Sequence, residues 1–178
     1  MAAGRLKGWG VLALAGLLAG LLGGAGCEEQ REGRERVEIK GQVFWLEPAL
    51  DDATRIRGLS GRMEIAPDGG MVFVFAQPAQ QEFVMRHCLT DMDIAFLDGA
   101  GRVLSWYEMK VEEPQRPGES DLDYELRLKR YASRFASQFV IEVAPGTLNR
   151  LGVKEGDTIG LDAPGLKARV LRADGRGG

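Results

Sequence analysis

The densest run of chemically able side chains is Arg86-His87-Cys88, followed closely by Asp91 and Asp93. His87 is the sole histidine, and Cys88 is one of two cysteines. A Cys/His nucleophilic dyad needs the two groups within hydrogen-bond reach. Read as a strand, residues 83–88 alternate: Phe83, Met85 and His87 share one face, and Val84, Arg86 and Cys88 share the other. His87 and Cys88 then point apart. Cys88 is expected as a small buried hydrophobe, and His87 as a structural residue rather than a general base. Arg86 and Asp93 make a better pair. A bend at Thr90-Asp91 would fold guanidinium and carboxylate together, either as a structural ion pair or as a clamp for an anion gripped bidentately. Arg57 and Arg62, which flank Gly58 and Gly61, either add to that clamp or stay solvated. The expected ligand site is Arg57, Arg62, Arg86 and Asp93, with no catalytic residue.

Other chemistries fit less well. Asp93, Glu142 or His87 would serve a hydrolase or carbohydrate-active enzyme as acid and base. A glycosidase needs two carboxyls roughly 5–9 Å apart across a cleft. Asp91, Asp93 and Glu142 would suit a hard cation such as calcium, but no D-x-D-x-D-G loop accompanies them. The chain has no Gly-rich phosphate loop between a strand and a helix, and no G-x-S-x-G elbow. No cofactor and no metal are expected. Two cysteines exclude a disulfide scaffold and a four-Cys zinc site. A formal charge of −3, from 23 basic against 26 acidic residues, argues against a nucleic-acid footprint.

The elements that must position these residues are mostly strands. Val37–Leu46 reads as a strand broken or bulged at Gly41. After Pro48 a short helix should end near Gly58, with Asp51-Asp52 favouring its amino terminus. Gly70–Phe75 is apolar on both sides and reads as an interior strand. Glu82–Cys88 is a second extended run. Met92–Leu97, the Asp98–Gly101 turn and Arg102–Val111 form a hairpin. Residues 111–120 are a Pro/Gly loop. Leu122, Leu126, Leu128, Tyr131 and Phe135 are spaced as an amphipathic helix over 121–137, a candidate contact for an assembly partner. Gln138–Val143 is a strand and Pro145–Leu151 a turn or short helix. Asp157–Asp162 and Lys167–Leu171 read as final short strands. Many short strands with few helices predict a mainly β fold, a single small β-sandwich or barrel with one or two short helices.

The amino terminus reads as an address. Arg5 and Lys7 precede residues 8–26, which carry no charge. Small residues then lead to Cys27, and Glu28 opens a charged run. These are the parts of a secretory signal. Gly24-Ala25-Gly26-Cys27 resembles a bacterial lipobox, with Gly24 where that signal usually has Leu. The resemblance implies lipid on Cys27. A transmembrane anchor is the competing reading, weakened by seven glycines among residues 8–26. Residues 1–26 are thus expected as a lipoprotein-type signal peptide and 27–36 as a lipidated Cys and charged tether. Residues 37–171 are the β domain and 172–178 a frayed tail. Cleavage before Cys27 leaves 21 basic against 26 acidic residues, a charge of −5.

Several separated pieces carry a family resemblance. In order they are Arg57-Gly58-Leu59 with Arg62, Gly70-Met71-Val72-Phe73-Val74-Phe75, Phe83–Leu89, Met92–Asp98, and Val140-Ile141-Glu142-Val143-Ala144-Pro145-Gly146. The pattern resembles the domain of unknown function 192 family: R-x-x-G-L-x-x-R, G-M-x-F-x-F, F-W-M-K/R-N-T/C-L-x-P-L-D-I-x-F, V-L-E-x-P-A-G, then G-D. Val84, His87 and Asp91 stand where that family's pattern has Trp, Asn and Pro. The charged stretch 112–130 is longer than the pattern implies. The resemblance implies a small sandwich of jelly-roll-like topology, often exported, and no reaction. The expected function is a non-catalytic envelope module on the bacterial cell surface or in the periplasm. It would be held to the membrane through Cys27 and bind a small anionic ligand or an envelope protein, with no nucleic acid.

Overall fold

The computed structural model describes residues 32–173 and 175. The signal segment, Cys27 and residues 28–31 of the tether lie outside the described residues.

The chain opens with a hairpin. β1 (Glu35–Ile39) pairs antiparallel with β2 (Gln42–Ala49), with Ile39 opposite Gln42. The two-residue turn between them places both Lys40 (φ 51°) and Gly41 (φ 81°) in left-handed backbone, the conformation that matches a twisted two-residue hairpin. The expected broken strand is therefore two strands, and Gly41 turns the chain rather than bulging it.

After β2 comes α1 (Asp52–Arg57), then β3 (Gly70–Ala79), which lies parallel to β2. β5 (Met92–Leu97) and β6 (Val103–Met109) form the next hairpin, and β8 (Ser137–Val143) inserts between β3 and β5. The resulting six-stranded mixed sheet has the order β1-β2-β3-β8-β5-β6. A second, two-stranded ribbon joins β4 (Glu82–Phe83) to β7 (Tyr131–Ala132). The protein is mainly β and is not closed into a barrel. Among the described residues four short helices replace the one or two expected.

Every residue of β5 and β8 is buried, as befits central strands covered on both faces. On one face Val72, Val74, Ala95, Leu97, Phe139 and Ile141 pack with Leu148, Leu166 and Val170. The other face carries Met71, Phe73, Ile94, Phe96 and Val140 beneath Met85, Cys88 and Tyr131. There Phe83 meets Phe73 and Phe96 edge-on, at centroid distances of 4.9 and 5.8 Å.

Four expected elements differ. The helix over 121–137 is only α2 (Asp121–Arg127), followed by extended chain that becomes β7. Leu122 and Leu126 sit on its solvent side, 67% and 66% exposed, while Tyr124, Leu128 and Tyr131 are buried. Arg127 ends the helix by binding the Glu119 carboxylate and the carbonyls of Glu113 and Pro114. Lys167–Leu171 is helical within α4 (Ala163–Ala173), which buries Leu166 and Val170 one turn apart on the first face. The extended run at 82–88 stops at Phe83, and Arg86-His87 form a turn with His87 at φ 54°. Residues 157–162 contribute only isolated bridges, Thr158 to Arg102 and Gly160 to Glu38.

Candidate functional site

A cavity of about 310 Å³ opens on the second face, between α1, β4 and α2. Its construction begins at Asp51, whose side chain caps α1 by accepting from the Thr54 amide (2.8 Å) and hydroxyl (2.9 Å). Arg55 then fastens the helix to the sheet. Its guanidinium donates to the carbonyls of Leu50 (3.0 Å) and Val74 (2.7 Å), pairs with Asp52, and lies over the Phe75 ring. Gly58 stops the helix at φ 50°, its amide returning to the Thr54 carbonyl. A β-carbon at Gly58 would sit 3.8 Å from the Glu142 Oε2 atom. The chain past the helix is stitched to the 86–87 turn: the Ser60 hydroxyl donates to the Arg86 carbonyl (2.8 Å) and the Gly61 amide to that of His87 (2.9 Å).

Glu142 forms the floor. It projects from β8 on the same face as its cross-strand partners Met71 and Ile94. Close strand approach is required here. Gly70 (φ 143°) lies against the Glu142 backbone, and a β-carbon there would fall 2.0 Å from the Glu142 carbonyl oxygen. Glu142 is 6% exposed, and its Oε2 has no hydrogen-bond partner. Burial pushes its carboxyl up to about 8, against the weaker pull of the Arg62 charge. The group is mostly protonated at neutral pH. Cys88 lines the same cavity, and burial, aided by the Glu142 charge, pushes its thiol up to about 11. Such a thiol is not a nucleophile near neutrality.

The walls and mouth are mixed. Phe73, Phe75 and Phe83 supply apolar surface. At the mouth Arg86 pairs with Glu125 (3.1 Å), and Arg130 pairs with Glu125 (3.3 Å) and Glu82 (3.7 Å). Arg57 also lines the opening, is exposed, and makes no ion pair among the described residues.

The residues expected to form the site divide. Arg57 and Arg86 line the cavity. Arg62 does not: both its terminal nitrogens are held by Glu47, at 2.8 and 2.5 Å. Asp93 is also elsewhere. It is fully buried on the opposite face, where its oxygens accept from the amides of Gly146 (3.0 Å) and Leu148 (2.8 Å) at the start of α3 (Thr147–Arg150). The expected Arg86–Asp93 pair is therefore absent. Arg86 found Glu125 instead, because α2 packs over the 86–87 turn. Asp93 and Glu142 occupy adjacent registers on neighbouring strands, so their side chains leave opposite faces of the sheet. No cleft lies between them for acid and base to share. His87 is exposed outside the cavity, its ring against Tyr124 and its amide accepted by the Tyr124 hydroxyl (3.0 Å). Asp91 is used by the Val111 amide and Lys110. No three His, Cys, Asp or Glu residues among the described ones are grouped to hold a metal.

Arg55 escaped the sequence reading, which fixed on Arg57. The R-x-x-G-L-x-x-R spacing itself selects Arg55. The signal for Glu142 was a lone acid inside Gln138–Val143, an otherwise apolar interior run.

The family model described as Uncharacterized ACR, DUF192, matches residues 35–161. The chain belongs to the DUF192 family. The match contains every residue that lines the cavity. No curated protein matches the chain. Crystal structures that resemble it include the following two. One is of a proposed transcription regulator from Sinorhizobium meliloti 1021, with 28% identity over 73% of this chain and 95% of that one, and a TM-score of 0.59. The other is of a protein of unknown function from Novosphingobium aromaticivorans DSM 12444, with 26% identity over 71% of this chain and 83% of that one, and again a TM-score of 0.59. Among the described residues no helix of this DUF192 chain is long and apolar enough to cross a membrane.

Proposed function

We propose that this DUF192 chain is a non-catalytic binding module whose cavity takes a small organic ligand. The observation that carries it is Glu142, a buried carboxyl without a hydrogen-bond partner at the floor of a cavity. An orphaned buried polar group costs about 1–3 kcal/mol, and a ligand that bonds it recovers that cost. The volume and the aromatic walls fall within the range of small-molecule sites. The chemistry also favours binding over reaction: the thiol is protonated, and the Ser60 hydroxyl is committed to a carbonyl. The jelly-roll-like sandwich belongs to the same proposal, with the β4–β7 ribbon as its second layer over Phe73 and Phe96.

The module would work at the membrane of the bacterial envelope, exported and tethered through lipid on Cys27. The support is the order of charge, apolar run, small residues and cysteine in the sequence. Mass measurement of the mature amino terminus tests it. A diacylated Cys27 that disappears in Cys27→Ala is expected, and an unmodified Cys27 on a retained leader overturns the tether. For the cavity, native mass spectrometry of the full chain taken from its own cells is expected to show a bound small molecule, missing from Glu142→Leu. Identical spectra for the two proteins overturn the assignment of the cavity.

A further inference from the structure

The arrangement of charge around the cavity narrows what it can hold. Three acids at its rim, Asp52, Glu82 and Glu125, are each engaged by an arginine: Asp52 by Arg55, Glu82 by Arg130, and Glu125 by both Arg86 and Arg130. Those pairs leave the rim acids neutralised. Arg57 lines the mouth with no ion pair among the described residues, and the acid that feels its charge, Glu47, is held outside the cavity by Arg62 and Arg34. Arg57 immediately precedes Gly58, where a β-carbon would lie 3.8 Å from the Glu142 Oε2 atom. One arginine without an ion pair thus lines the cavity together with one hydrogen-bonding group that lacks a partner, and the Phe73 and Phe83 side chains line the same cavity.

We infer that the ligand is a small amphipathic anion. Its negative group meets Arg57 at the mouth, its apolar body lies along Phe73 and Phe83, and a neutral hydrogen-bonding group at its far end meets the Glu142 carboxyl. The inference rests on the cavity being a ligand site, and it specifies that ligand's polarity and direction. A cationic ligand would have the opposite needs. It would pass the unpaired Arg57 and require Glu142 as a carboxylate, in a pocket where ionisation is opposed by burial. The charged groups facing Glu142 are few. Arg62 attracts its ionised form from beyond the cavity. Cys88 faces it as a neutral thiol, while Arg57 on α1, Arg86 beside β4 and the Glu125–Arg130 pair at α2 stand nearer solvent. A protonated Glu142 offers one donor and one acceptor, and glutamine reproduces both.

The test uses three probes sharing one body: 3-(4-hydroxyphenyl)propanoate, its primary amide and the corresponding propylamine. Binding to the full-length protein is measured by titration calorimetry at pH 6.5, with amide NMR shifts at Gly58 and Cys88 locating the site. The propanoate is expected to bind at least tenfold tighter than the amine, with the amide between them. Arg57→Gln should lower propanoate affinity by about tenfold, the size of one charge-assisted contact, and leave the amide unchanged. Glu142→Gln should keep propanoate binding, and Glu142→Leu should lose it. Preference for the amine, or loss of binding in Glu142→Gln with retention in Arg57→Gln, overturns the anionic assignment and leaves the cavity as a ligand site. Failure of all three probes to shift Gly58 or Cys88 overturns both.

Discussion

Two buried carboxylates, one register apart on neighbouring strands, meet different fates on the two faces of the sheet. Asp93 faces the side closed by α3 and α4. Both its oxygens accept backbone amides, and it holds the turn into α3 in place. Burial raises its carboxyl, and the Leu148 and Gly146 amides pull it back. Glu142 faces the side covered by α1, α2, the β4–β7 ribbon and the turns around them. It has no such amides, and its carboxyl rises to about 8. A buried acid satisfied by its own chain is architecture, whereas one left unsatisfied in front of a cavity is available to something else. The amides decide which of the two it is, and burial alone does not.

The comparison can be broken most sharply by pH. The folded state holds the Glu142 proton to about pH 8, while the unfolded chain releases it near 4.5. Between those values the folded state binds more protons, so stability falls as pH rises. Glu142→Gln removes the titration. Denaturant unfolding should show the variant gaining about 3.5 kcal/mol on the wild type between pH 5 and pH 8. Parallel curves would mean that Glu142 is ionised and satisfied in the folded state. Next in size, Asp93→Ala should cost about 3 kcal/mol, because it orphans two amides at the start of α3. Asp93→Asn should cost less, since its carbonyl oxygen still accepts one of them. An Asp93→Ala loss below 1 kcal/mol would erase the contrast between the faces. Smallest is Arg86→Ala. Its ion pair with Glu125 is about a third exposed on either side, so a loss of about 1 kcal/mol or less in the same assay is expected. A larger loss would make the mouth of the cavity structural rather than a place for ligands.

What the sequence disclosed follows from how far each signal reaches. The interior strands Met92–Leu97 and Gln138–Val143 were visible because chain buried on both faces must be apolar throughout. The helix ending at Gly58 was visible because Asp51 and Gly58 act through local backbone bonds. The lines of alternation failed at His87. The strand stops at Phe83, and a non-glycine residue at φ 54°, braced by the Tyr124 hydroxyl, turns the chain where composition alone extended the strand to Cys88. The last helix was missed because 167–171 was read in isolation. The pairing of Leu166 with Val170, and Pro164 at the start, belong to a longer helical period. The partners of Arg86 and Asp93 were out of reach, since Glu125 and the α3 amides come from distant segments and no local rule selects them.

The place of β8 carries a consequence in time. Its neighbours on either side, β3 and β5, precede it in the chain by tens of residues, and β8 alone joins them. A chain lengthening from its amino end holds β1–β2–β3 and the β5–β6 hairpin with a gap one strand wide between them. That gap closes only when Ser137–Val143 arrives, and long-range closures of this sort are slow. Glu142 arrives on the same strand. The floor of the cavity and the keystone of the sheet are therefore laid in a single late step, and no partly folded form that lacks β8 presents the site.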